Sequence, residues 1–141
     1  MTFRRAIGNP TKAQQAYQDQ ARTLGCIACK VRKNRKQPGP TEIHHRTIGD
    51  LHGQKQLGHD KVIALCSWHH RGELIGTMSS DAMRDRFGPS LARHKRDFME
   101  WVQDVTGERS TSGLQAIQDG LIALSQNNTL TTHDIGRGLN A

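Results

Sequence analysis

Apolar positions along the chain change their spacing several times, and each change marks an element. Ala13, Ala16, Tyr17, Ala21 and Leu24 recur at helical intervals among polar residues. That pattern predicts an amphipathic helix over 11–24, capped by Thr11 after Pro10 and stopped by Gly25. From 26 to 40 the signal fades into a turn and a basic loop, ended by Pro38-Gly39-Pro40. Thr41-Glu42-Ile43-His44-His45 and Val62-Ile63-Ala64-Leu65 read as two short strands. Gly49, Gly53 and Gly58 make most of 46–60 a loop. A helix is expected from Cys66 to about Ile75, and another over Ala82–Phe87, capped by Ser79-Ser80-Asp81 and stopped by Gly88-Pro89. Ser90 opens a longer helix whose stripe is Leu91, Phe98, Trp101, Val102 and Val105, ended by Gly107. That stripe is core packing.

Residues 108–141 turn polar, rich in Ser, Thr, Asn, Gln and Gly. Leu114, Ile117, Leu121 and Leu124 form one amphipathic face, so the tail holds one candidate helix, docked or free. The organisation expected is an N-terminal arm over 1–10, one α+β domain over 11–107 and a C-terminal tail over 108–141.

Composition changes the picture in two ways. Hydrophobic residues are 34 % of the 141 and aromatic residues 4 %, low for a domain held by its core alone. Small cores need a staple. Three cysteines argue against a disulfide framework. With no secretory signal and no apolar stretch long enough to span a membrane, a cytoplasmic protein with reduced thiols is expected, and the staple is a metal. The net charge of +7 points to a polyanionic partner, most simply nucleic acid. Lys30, Arg32, Lys33, Arg35 and Lys36 concentrate that charge in one short stretch.

Cys26-Ile27-Ala28-Cys29 and Cys66-Ser67-Trp68-His69 supply four ligands suited to one tetrahedral zinc and use every cysteine of the chain. Positions three apart at a helix start share a face, so Cys66 and His69 point the same way. His44, His45 and His70 remain, with His59 nearby. Adjacent strand residues face opposite sides, so His44 and His45 need not act alike. Adjacent helix residues differ by about 100°, so His69 can serve the zinc while His70 serves a second, catalytic metal. A phosphodiesterase needs such parts: one imidazole free to take a proton from water, and others to hold a divalent cation against the phosphate.

These residues resemble the HNH (ββα-metal) endonucleases and, more narrowly, the Ref-type phage recombination-enhancement RecA-dependent nucleases. Leu24-Gly25-Cys26-Ile27-Ala28-Cys29, Glu42-Ile43-His44-His45 and Val62-Ile63-Ala64-Leu65-Cys66-Ser67-Trp68-His69-His70-Arg71 carry the likeness, with the Arg86-Phe87-Gly88 turn. It covers roughly 14–106. The resemblance implies a small zinc-stabilised ββα-metal core and metal-dependent DNA cleavage to a 5′-phosphate and a 3′-hydroxyl. Its site would have His45 as general base and His44 and His70 as ligands of a catalytic Mg²⁺ or Mn²⁺, or Zn²⁺. Cys26, Cys29, Cys66 and His69 match structural zinc ligands. The implied partners are single-stranded or recombinase-coated DNA and a RecA-type recombinase, in a bacterial host cell if the gene is a phage's.

The chain departs from the pattern in two places. The middle Asn has no clear counterpart; His59 and Asp60 lie in that loop, and His59 either helps ligate the metal or orients His45. The basic segment over 30–40 is longer than expected, and its cations suit a grip on phosphates. Two other readings are a non-catalytic zinc-stabilised DNA-binding module and a recombinase-interaction protein working through the tail around Leu114–Leu124.

Overall fold

The computed structural model describes residues 8–140, with side chains up to Gln126; the N-terminal arm before Gly8 and the last residue lie outside this range. Helix α1 spans Lys12–Leu24, and Thr11 and Gln14 form a reciprocal capping box at its start. Gly25, at φ 98°, ends it. Helix α2 spans Ile27–Arg32 and replaces the turn and loop expected there. The reason is local: the Cys26 sulfur caps this helix by accepting from the Cys29 N–H, so the knuckle itself nucleates a turn and a half.

Strands β1 (Thr41–His45) and β2 (Val62–Cys66) form an antiparallel pair, with Ile43 opposite Ala64 and His44 opposite Ile63. Every residue of β2 is buried. Its two faces serve two clusters: Ile63 and Leu65 join Ile27, Trp68, Phe98 and Val102, while Ala64 meets Ala21 and Ile122. A strand covered on both sides reads as a continuous apolar run, as Val62–Leu65 does.

Helix α3 (Ser67–Arg71) follows β2 directly, with Cys66 as its cap. It stops at Arg71, short of Ile75, because Gly72 turns left-handed at φ 72° and returns its N–H to Ser67 and Trp68. Helix α4 (Ser80–Phe87) is capped by Ser79. Helix α5 (Lys95–Thr106) begins later than Ser90. Residues 90–94 form a turn in which the Ser90 N–H donates to His94 Nδ1 and the Arg93 N–H to Ser90 Oγ. Leu91 reaches the core from this turn, and Val105 points outward at 42 % exposure.

Helix α6 (Thr111–Asn140) begins just after α5, and its first half packs against α1, α2, α5 and β2. The docked face is partly polar. Leu114, Gln115, Gln118 and Ile122 are buried, Ile117 and Leu121 are partly so, and Leu124 is 54 % exposed. Gln118 accepts from the Ala64 N–H at 2.8 Å and donates to the Val62 carbonyl at 3.0 Å. Its side-chain amide thus pairs the open edge of β2 as a third strand would. No helix among the described residues is long and apolar enough to cross a membrane.

Candidate metal centre and active site

Two short helices present the cysteine ligands in the same way. Cys26 caps α2 and Cys29 lies in its first turn; Cys66 caps α3 and His69 lies in its first turn. The four ligand atoms lie within 4.8 Å of one another, and all four residues are buried. His69 Nδ1 stands 3.4, 3.5 and 3.2 Å from the sulfurs of Cys26, Cys29 and Cys66. A tetrahedral zinc with legs of about 2.3 Å to sulfur and about 2.0 Å to nitrogen has S···N edges of about 3.5 Å. The donor set and its size therefore fit zinc.

The proton on His69 is fixed by its surroundings. Its Nε2 lies 2.9 Å from the Phe87 carbonyl, which only accepts, so Nε2 carries the hydrogen and Nδ1 the lone pair. Trp68 Nε1 donates to the next carbonyl, Gly88, at 2.9 Å, and Asn34 also donates to Phe87. This is what the Arg86-Phe87-Gly88 turn does: its carbonyls hold the residues behind the metal site. Burial pushes the Cys26 thiol up, whereas hydrogen bonds from the Cys26 and Cys66 thiols hold Cys29 down at about 4. One negative charge is thus stabilised by its two neighbours, and a divalent cation at the centre would favour three.

The remaining histidines divide by strand face. Glu42 and His44 lie on the side of β1 shared with Leu65 and Ile63, toward α3. There the rings of His44 and His70 meet edge-on at 5.1 Å. Both line an open cleft of about 560 Å³, together with Asp50, His52, Lys95 and Thr111. Burial, then the charge of His70, lowers the His44 pKa to about 4, which keeps that imidazole neutral and able to ligate. Glu42 accepts from His70 Nδ1 at 2.8 Å, and Arg71 pairs with both oxygens of that carboxylate. Those Arg71 bonds hold the Glu42 carboxyl below its usual range.

His45 points to the other side of the strand, toward α1. Its Nε2 lies 3.0 Å from His59 Nδ1, and His59 Nε2 lies 2.7 Å from the Gly8 carbonyl. Since that carbonyl only accepts, His59 carries its hydrogen on Nε2 and accepts from His45 Nε2. His45 Nδ1 is left with the free lone pair. Burial, then the charges of His59 and His70, lowers the His45 pKa. The fold therefore brings His44 to His70 and His45 to His59, and the cleft walls carry the first pair and not the second.

Lys30, Lys33 and Arg35 line a shallow groove beside Cys26 and Cys29, and with Lys36 they are exposed. Arg32 differs. Its guanidinium lies 5.6 Å over the Trp101 ring with Nε buried, so it packs inward on α5. Glu42, Asp50, Arg71 and Lys95 also belong to this region, and the sequence reading assigns none of them a role. Glu42 had a usable signal, since residues two apart on a strand share a face and Glu42 precedes His44 by two. Asp50 had none. It bonds the N–H and hydroxyl of Thr111, 61 residues along the chain, and so anchors the cleft loop to the start of α6.

Fold and site together define a small α+β domain built round a Cys₃His group that could hold a metal, with a histidine-lined cleft beside it. A family model described as recombination enhancement, RecA-dependent nuclease matches residues 10–107. The chain belongs to that family, whose description is of a nuclease acting in recombination with RecA. No curated protein and no solved structure matches.

Proposed function

We propose that the protein is a DNA endonuclease of the HNH type, with a structural zinc, a divalent cation held by His44 and His70, and His45 as general base. The observation that carries this reading is the His44–His70 pair in the open cleft; the His45–His59 pair on the other face of β1 sets the tautomer of His45. One pair supplies two imidazoles to an open cleft. The other leaves His45 with a free Nδ1 and a hydrogen-bonded Nε2. Among the described residues only the Cys₃His group gathers three or more ligating side chains closely enough to hold an ion, so the cleft offers two protein donors and leaves the other positions to water and phosphate oxygens. A divalent cation there would supply Lewis-acid stabilisation of charge on the phosphoryl group.

His45 Nδ1 takes the proton of the attacking water, and His59 holds the ring in the tautomer that allows it. The bond from phosphorus to the 3′ oxygen breaks, leaving a 5′-phosphate and a 3′-hydroxyl. Lys95 and Arg71 at the cleft, with Lys30, Lys33, Arg35 and Lys36 on the zinc side, suit contacts to DNA phosphates. The unit that acts is the domain over 11–107 with the docked start of the tail.

The test is nicking of single- and double-stranded DNA by zinc-loaded protein with Mg²⁺ or Mn²⁺, with and without a bacterial recombinase and ATP. His45→Ala is expected to lose about 10²–10⁴ in rate with its zinc and fold intact. Cleavage only with the recombinase would support RecA-coated DNA as substrate. A second reading is a zinc-stabilised module that binds DNA or the recombinase without cutting. It is favoured by the position of His45 and His59 outside the cleft, and it predicts no cleavage in any arm with DNA binding retained in His45→Ala.

A further inference from the structure

We infer that Glu42 is a positioning residue: it fixes which nitrogen of His70 faces the cleft, and Arg71 holds Glu42 in place to do so. The inference rests on the reading of His70 as a cation ligand and extends it to a residue that has no role in that reading.

Three observations carry it. His70 Nδ1 lies 2.8 Å from Glu42 Oε1. A carboxylate only accepts, so Nδ1 bears the hydrogen and the lone pair sits on Nε2. Arg71 closes both Glu42 oxygens, with Nε at 2.9 and 3.1 Å and Nη2 at 2.7 Å, so the carboxylate cannot rotate away from His70 without breaking a bidentate pair. Third, the elements are arranged for this contact. Glu42 and His44 share one face of β1, and His70 and Arg71 end α3 where Gly72 turns the chain away. The ring whose proton is set in this way is also the one that meets His44 at 5.1 Å and lines the cleft.

A purely structural ion pair between β1 and α3 would use the same Arg71 contacts and would be indifferent to the state of His70. The two roles separate on the imidazole tautomer. Free imidazole side chains in water favour the hydrogen on Nε2, so a hydrogen on Nδ1 reports the Glu42 contact. Glu42→Gln is the informative change, because it keeps the shape. A guanidinium only donates, so Arg71 takes the amide oxygen and turns the amide N–H₂ toward His70. His70 Nδ1 must then accept, and the hydrogen moves to Nε2.

The experiment uses the full zinc-loaded chain at mildly alkaline pH, where free imidazole is neutral. Long-range proton–nitrogen correlation spectra, with His70 assigned against His70→Gln, read the tautomer before any cation is added. The wild type is expected to show His70 with its hydrogen on Nδ1, and Glu42→Gln to show it on Nε2. Calorimetric titration with Mn²⁺ is expected to give binding weaker by about 10–100-fold in Glu42→Gln. Arg71→Ala is expected to give a mixture of tautomers and a smaller loss. Zinc content should be the same throughout.

A wild-type His70 with its hydrogen on Nε2 overturns the proposal, as does a Glu42→Gln spectrum that keeps the wild-type tautomer. The wild-type spectrum decides the question by itself if a variant fails to fold. A tautomer that switches as expected, in a protein that binds no Mn²⁺ in either form, upholds the role of Glu42 and removes the cation reading of His44 and His70.

Discussion

His45 and His70 expose opposite ring nitrogens, and each is set by one neighbour. For His45 the consequence is a pH dependence with a definite sign. Burial first, then the charges of His59 and His70, lowers its pKa. As the proposed general base, His45 cannot accept a proton once protonated, so activity is expected to fall as pH drops through that pKa. The acid limb of kcat/KM is expected below the ordinary histidine value of about 6.5. His59→Ala removes the neighbour whose charge, second to burial, lowers the His45 pKa, so the limb should move up while the rate falls by roughly 10–100-fold, the usual cost of losing a ring-orienting partner. A profile unchanged in His59→Ala would count against the orienting role. Gly88 gives a second prediction. It sits at φ 94°, and an added Cβ would come within 2.3 Å of the Arg32 guanidinium. Gly88→Ala is expected to cost about 1–3 kcal/mol and to speed loss of zinc to a chelator, because the turn carries the His69 and Trp68 partners. The two halves of the Cys₃His group were legible in sequence because the spacing within each is local. Glu42, Asp50 and Arg71 were not, because their partners lie on other elements.

Among the elements, α6 departs most from what its apolar pattern suggested. Its leucines implied one face, yet the side chain that matters most to β2 is Gln118, which is fully buried. Gln118→Leu keeps bulk but leaves the Ala64 N–H without an acceptor. A loss of about 2–4 kcal/mol is expected in denaturant unfolding, from three missing hydrogen bonds and one orphaned donor. Tyr17 reports the same docking. Its hydroxyl donates to Asp119 and accepts from Gln115 and Gln118. Burial and the Asp119 bond raise its pKa from 10.0 to about 12. The unfolded chain releases this proton first, so the contribution to stability is complete below pH 10.0 and is lost as pH rises toward about 12. Tyr17 is the only tyrosine, so tyrosinate absorbance reads it directly. A chain ending at 110 should titrate near its ordinary value; an unshifted midpoint in the full chain would show that α6 is not docked in solution.

At the scale of the whole molecule, the site that fits zinc joins α2 to the β2–α3 corner and lies inside the main cluster of buried residues. Structural zinc contributes on the order of 10 kcal/mol in small domains, comparable to the entire stability of a fold of this size. Stripping the metal with a chelator is therefore expected to unfold the chain cooperatively, seen as loss of helical circular dichroism. A metal-free protein that kept its full helical signal would refute the site as the staple. The low aromatic content that points to a staple agrees with this placement: the core is thin, Cys26, Cys29 and Cys66 are part of it, and His69 is buried beside them.

The sequence alone determined whatever depends on near neighbours: α1 with its Thr11 cap, the two strands, the Cys₃His group and the different directions in which His69 and His70 point. These follow from periodicity and from ligand spacing within one turn. Only the tertiary structure decided that Arg32 turns inward, that His45 meets His59, and that Glu42 meets His70 and Arg71. It also decided that a polar face of α6 closes the sheet edge. Each of these is a contact between segments far apart in the chain, where the partner is set by packing geometry and not by local spacing.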